Sequence, residues 1–147
     1  MNDLPYAEKI NYWKTGGSLP DVWINRARNQ IEKLGGTVLG NAFGTMVETG
    51  RSAYMISFEI QGERFKIVWP VLPTKSKAQD AEKAAQRQAA TFLYHDIKAR
   101  CLSATVIGTR AAFFSYLLLP DGMTAAEHSI EQVADIFPKM LGAGRAS

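Results

Sequence analysis

The chain has 147 residues, 46% hydrophobic and 21% charged, with a formal net charge of +3. Those values suit one folded domain with a sizeable core and exclude a disordered chain, and no apolar run approaches the roughly 20 residues of a membrane span. The single cysteine, Cys101, excludes an internal disulfide and a cysteine-based zinc site, so a reducing cytoplasm is expected.

Met1 to Leu4 supply neither a basic nor an apolar stretch, so no signal peptide is expected. Residues 1–17 read as an arm, polar with scattered aromatics (Tyr6, Tyr12, Trp13), that either docks or moves. Ser18 is placed to cap a first helix, with Pro20 in its first turn. Trp23, Ala27, Ile31 and Leu34 recur at helical spacing, and Gly35-Gly36 ends the element. Thr37 to Phe43 reads as a first strand. From Ala53 the period falls to two: Tyr54, Ile56, Phe58 and Ile60 alternate with polar neighbours, then Phe65, Ile67 and Trp69 do the same. Gln61-Gly62 between them predicts a tight antiparallel hairpin. Pro70 and Pro73 end it, because proline cannot donate to the ladder.

Helical spacing returns from Lys75, with Ala81, Ala85, Ala89, Phe92, Leu93, Ile97 and Cys101 as the apolar stripe of a long helix. The small alanines allow close approach to the sheet. Thr109 begins a short helix through Phe113, Phe114 and Leu117. Pro120-Asp121-Gly122 turns the chain, and Thr124 with Glu127 forms a capping box for a last amphipathic helix carrying Ile130, Val133 and Phe137. The expected fold is α+β: a helix, a three-stranded antiparallel sheet, a long helix packed on the sheet, then two short C-terminal helices. Its parts are the arm (1–17), a single domain (18–141) and a tail (142–147).

No catalytic constellation stands out, and neither a cofactor nor a metal is expected. His95 and Cys101 lie six residues apart, about 240° round a helix, so they point to different sides. Asp80 and Glu82 also diverge, no Gly-rich phosphate loop opens a helix, and metal-ligand spacing is absent.

Charge carries more information. Lys and Arg number eight against seven Asp and Glu in residues 1–74, six against three in 75–100, and three against four in 101–147. The excess therefore sits in the long-helix segment. There Lys83, Arg87, Tyr94 and Lys98 fall within about 60° of one another. A cation row with an aromatic among them suits a phosphate backbone and a stacked base. It equally suits a solvated helix face. Lys75 and Lys77 at the helix start, with Arg64 and Lys66 on the hairpin, would extend the positive area if the hairpin's polar face shares that side.

The order helix, three strands, long helix resembles two nucleic-acid-binding families. Lys75-Ser76-Lys77 followed by Ala81, Ala84 and Ala85 is similar to the second-helix opening of double-stranded RNA-binding domains, across residues 21–95. The run departs from that pattern in being one residue longer, and Trp69-Pro70-Val71-Leu72-Pro73 replaces the usual glycine-rich turn. Glu82-Lys83-Ala84, with the basic stretch through Lys98 and Arg100, resembles single-strand annealing proteins. Over residues 21–128 the chain looks like small bacteriophage and prophage proteins without established activity. The resemblance runs through the hairpin Ile56 to Val68, then Arg87-Gln88-Ala89 and Ile97-Lys98-Ala99, then Leu118 to Thr124.

These resemblances imply a phage-type protein in the cytoplasm of a bacterial host that binds nucleic acid and aids recombination or strand annealing. Single-stranded DNA is the favoured partner, RNA and duplexes are alternatives, no membrane is involved, and a homo-oligomer is compatible. The rival expectation is a protein–protein adaptor whose working surface is Tyr6, Tyr12, Trp13, Phe113, Phe114 and Tyr116.

Overall fold

The alternating runs decide the architecture. The computed structural model describes residues 4–15, 18–47 and 49–125. Strands β2 (Ser52–Ile60) and β3 (Glu63–Pro70) pair antiparallel, with Phe58 opposite Phe65 and Ile56 opposite Ile67. The turn between them needs left-handed backbone at both central residues, and Gln61 (φ 54°) and Gly62 (φ 80°) supply it. Strand β1 (Thr37–Thr45) pairs antiparallel with the other side of β2, giving the order β1-β2-β3. It runs two residues beyond the expected Phe43, and a bulge between Val38 and Gly40 accommodates Leu39.

Every second side chain of β2 and β3 is buried, and both helices lie over that face. Helix α1 (Pro20–Lys33) contributes Ile24, Ala27 and Ile31 to the core, and helix α2 (Gln79–Ile107) contributes Ala85, Ala89, Leu93 and Ile97. Phe58, Phe65 and Phe113 meet with ring centroids 5.3–5.8 Å apart and are fully buried. That trio seats the segment after α2 on the sheet. Gly108 (φ 92°) ends α2, α3 (Thr109–Ala112) follows, then a 3₁₀ turn, Phe114–Tyr116. Leu117 bridges to Phe65, and the Leu118 N–H donates to the Arg64 carbonyl at 2.9 Å. The expected helix through Leu117 is thus only one α-turn, because the chain straightens to lie along β3. Thr124, expected to cap the last amphipathic helix, bridges to Leu118; Glu127 and the rest of that helix, with the tail, lie outside the described residues.

Two helix starts differ from expectation. Leu19 precedes α1 in extended conformation without a side-chain cap, so Ser18 does not cap it. Helix α2 begins at Gln79, not Lys75, because another element claims the preceding backbone. That element is the arm, which docks. Ala7 is fully buried, and its N–H donates to the Pro73 carbonyl at 2.8 Å. The Glu8 carboxylate accepts the N–H groups of Lys75 and Ser76, each at 2.9 Å. Gln88, 1% exposed, donates through Nε2 to the carbonyls of Ala7, Ile10 and Asn11. Beyond them, the Tyr12 ring stacks on His95 at 5.0 Å, and Lys14 pairs with Asp80 at 3.6 Å.

Those two N–H bonds, first from Ser76 and then from Lys75, hold the Glu8 carboxyl below its ordinary value of 4.5. Its folded pKa is depressed, so its stabilisation is present above the unfolded pKa and is lost as pH falls through the folded value. Glu8→Gln should therefore melt earlier than wild type at neutral pH. The gap should narrow as pH falls below 4.5. Paired thermal melts across pH check both; a gap that does not change with pH would show that the carboxylate charge is not what matters.

Gly36 marks a tight approach. A Cβ there would lie 2.7 Å from Ile60 Cγ1 and 2.8 Å from Ile31 Cγ2. Gly36→Ala should destabilise the domain by about 1–3 kcal/mol through overpacking, read from urea unfolding.

Candidate nucleic-acid interface

The eight side chains expected to form one basic surface divide among three places. Phe65 and Ile67 turn inward beneath the helices, so the two-residue period sends Arg64 and Lys66 to the opposite face of the sheet. The condition for joining the hairpin to the helix cations is therefore not met. Arg64 is exposed and pairs with Glu59, its register partner, at 3.4 Å.

Lys75, Lys77, Lys83 and Arg87 stand together at the other location, around the start of α2. Lys75 and Lys77 are exposed in the loop before the helix, Lys83 is exposed on its first turns, and Arg87 is half-buried one turn on. Among the described residues no ion pair engages Lys77, Lys83 or Arg87, whereas Lys14, Arg64, Arg100 and Arg110 each face a carboxylate. Asp80 and Glu82 share the same turns, but Asp80 is held by Lys14. Arg51 joins this neighbourhood. It borders a depression of about 250 Å³ with Thr74 and Glu82, which places the chain before β2 against the start of α2. Arg51 has no sequence signal of its own, since only the antiparallel return of β1 into β2 brings it there.

Tyr94 and Lys98 occupy the third place, the groove between the helices. The Tyr94 ring is half-buried, 5.3 Å from Trp23 and 5.0 Å from His95, with Lys98 Nζ 5.9 Å from its centroid. The ring meets Trp23 at a tilt and His95 edge-on, so part of its surface is taken up within the fold. The groove encloses about 510 Å³, lined by Gln30 and Lys33 of α1 and by His95, Lys98, Cys101 and Thr105 of α2. Two ammonium groups and no carboxylate line it, a composition that suits an anionic ligand. Lys33 and Gln30 were not legible as site residues, because their approach to Lys98 follows from how α1 packs on α2. His95 and Cys101, expected to diverge, both border this groove. Burial pushes the Cys101 thiol from about 9 to about 11, against the reactive thiolate.

Arg100 is structural. Its Nε donates to Asp96 at 2.9 Å, its Nη1 donates to the Ala112 carbonyl at 2.9 Å, and it lies 4.6 Å over the Tyr116 ring. The aromatics expected for an adaptor surface are also mostly occupied. Phe113 is fully buried, Tyr12 stacks on His95, the Tyr116 hydroxyl donates to Asp96 at 3.1 Å, and Trp13 and Phe114 are half-buried. Of the six, only Tyr6 is exposed. Exposed apolar side chains lie instead on the last turns of α2, at Leu102, Val106 and Ile107, and on and just after β1, at Leu39, Phe43 and Val47. Among the described residues no three His, Cys, Asp or Glu side chains converge as a metal site, and no helix is long and apolar enough to cross a membrane.

Fold and site together define an α+β protein whose two helices cover one face of a three-stranded antiparallel sheet, with Lys77, Lys83 and Arg87 near the start of the second helix in no ion pair among the described residues. No protein-family model, curated protein or solved structure matches the chain.

Proposed function

We propose that the protein binds nucleic acid, single-stranded DNA in the first instance, through Lys75, Lys77, Lys83 and Arg87 at the start of α2, and that it serves phage-type recombination or strand annealing. The observation that carries this reading is that Lys77, Lys83 and Arg87, near the start of one helix, stand in no ion pair among the described residues, with exposed Lys75 in the adjoining loop. Cations held by carboxylates contribute little to phosphate binding, and free ones release counterions on contact. The shared order of helix, three strands and long helix supports the same class by resemblance. Lys98 and Lys33 extend the positive surface along the helix groove, while Arg64 and Lys66 stand outside it.

An electrophoretic shift series with labelled single- and double-stranded DNA and RNA tests the proposal. Binding should appear at low salt, with log affinity falling linearly against log salt. Absence of a shift with all four probes at low salt would reject it, and Leu102, Val106 and Ile107 would then become the leading contact surface, for a protein partner.

A further inference from the structure

Strand β1 is an edge of the sheet, and its backbone stands open along its second half. The Met46 N–H donates to the Arg51 carbonyl at 2.7 Å, while the Ser52 carbonyl accepts from Val71, just beyond β3, at 2.9 Å. Antiparallel ladders alternate, so Gly44, Ala42 and Gly40 turn their backbone groups toward β2. Asn41, Phe43 and Thr45 therefore turn theirs outward. Every residue from Asn41 to Thr45 is exposed, and among the described residues those outward N–H and C=O groups have no hydrogen-bond partner.

Edge strands usually carry a guard against pairing, such as a lysine, a proline or an inward-pointing charge. Thr37 to Thr45 contains no charged residue and no proline. The bulge at Leu39 twists only the first part, and the run from Gly40 to Thr45 keeps regular register with β2. The other edge of the sheet is covered, because Leu117 bridges to Phe65 and the Leu118 N–H donates to the Arg64 carbonyl. A row of free backbone donors and acceptors is complemented by another strand. An identical strand is disfavoured wherever the edge is charged, since like charges then meet across the symmetry axis. Here none do.

We propose that two copies of the chain pair antiparallel through β1, centred on Phe43, and join their sheets into one. Phe43 then stands opposite the partner's Phe43, and Asn41 opposite the partner's Thr45. In this register the outward groups of all three residues find mates, about six hydrogen bonds across the axis. The Phe43 ring is 46% exposed and lies 4.6 Å from Tyr54, its register partner, so pairing brings the two Phe43 rings together beside buried Tyr54. On the other face Ala42 meets the partner's Gly44, and neither is large enough to obstruct the approach. An axis at Asn41 would instead engage the bulge at Leu39, which breaks the ladder. Because the second edge is covered, the assembly closes at two copies and does not extend. The interface uses no residue of the cation cluster, so it stands independently of nucleic-acid binding.

Sedimentation of the full chain over a concentration series, with amide hydrogen exchange alongside, tests this. The wild type should dimerise, and exchange at Asn41, Phe43 and Thr45 should slow by about tenfold at roughly nine-tenths dimer. Gly40, Ala42 and Gly44, already bonded to β2, should change less. Phe43→Lys and Phe43→Glu should each be monomeric, because like charges meet at the axis, and an equal mixture of the two should dimerise again. That recovery separates loss of the interface from loss of the fold, since an unfolded variant is not restored by its opposite charge. A wild type that stays monomeric up to about 1 mM would overturn the proposal. So would a dimer whose Asn41, Phe43 and Thr45 amides keep their monomer exchange rates, or a Phe43→Lys variant that dimerises as tightly as the wild type. Folded Phe43→Lys and Phe43→Glu variants whose mixture stays monomeric would reject the register centred on Phe43, and the proposal with it.

Discussion

Ala85→Asp should unfold the domain, while Gln86→Asp, one residue on, should leave it folded. Ala85 is fully buried and borders Ser52 and Val71 where α2 meets the sheet. Arg51 and Glu82 line the same depression with opposite charges, so a carboxylate at this buried position meets no net positive field and loses most of its water. Taking a charge out of water at a fully buried position is the dominant cost, so the expected loss exceeds about 4 kcal/mol. That is comparable with the whole stability of a domain, about 5–15 kcal/mol. Gln86 is half-exposed, so an aspartate can turn to water and the cost should stay within about 1 kcal/mol, mostly helix propensity. Circular dichroism melts of both variants decide the matter. Equal melting temperatures would mean that α2 does not present Ala85 to the sheet.

A triple variant, Lys77→Ala, Lys83→Ala and Arg87→Ala, should fold like the wild type and lose much of its nucleic-acid affinity at low salt. None of the three side chains belongs to the core. Each phosphate contact contributes about 0.7 to 0.9 to the slope of log affinity against log salt, so three contacts should flatten it by roughly 2 to 3. Arg64→Ala is the matched control. It removes one positive charge from the opposite face of the sheet, where the guanidinium is paired with Glu59, and should leave the slope unchanged. Lys33→Ala with Lys98→Ala tests whether the strand continues along the helix groove. A wild type that binds with a steep slope, and a triple variant with the same slope and affinity, would remove the start of α2 from the interface.

Much of this fold was legible in the residues. The two-residue alternation from Tyr54 to Trp69, with Gln61-Gly62 at its middle, specifies the hairpin and its buried face by itself, because side chains alternate strictly across a strand. The alanine-rich stripe of α2 and the Gly35-Gly36 stop of α1 are local signals of the same kind. The cations were equally visible as a charge excess confined to residues 75–100.

What the sequence could not express was which of these local features meet. Helical spacing puts Lys83, Arg87, Tyr94 and Lys98 on one stripe, but only the packing of α1 covers Tyr94 with Trp23 and leaves Lys83 in solvent. The face to which the hairpin sends Arg64 and Lys66 was known relative to Phe65, yet the side on which the helices would settle was not. Gln88 looked like one more polar residue in a helix. Its burial comes from a segment some 80 residues earlier in the chain, since Ala7, Ile10 and Asn11 return to take its amide protons. Periodicity reports the orientation of side chains about a single element. Burial, ion pairing and cavities are properties of pairs of elements far apart in sequence, and only the folded chain sets those distances.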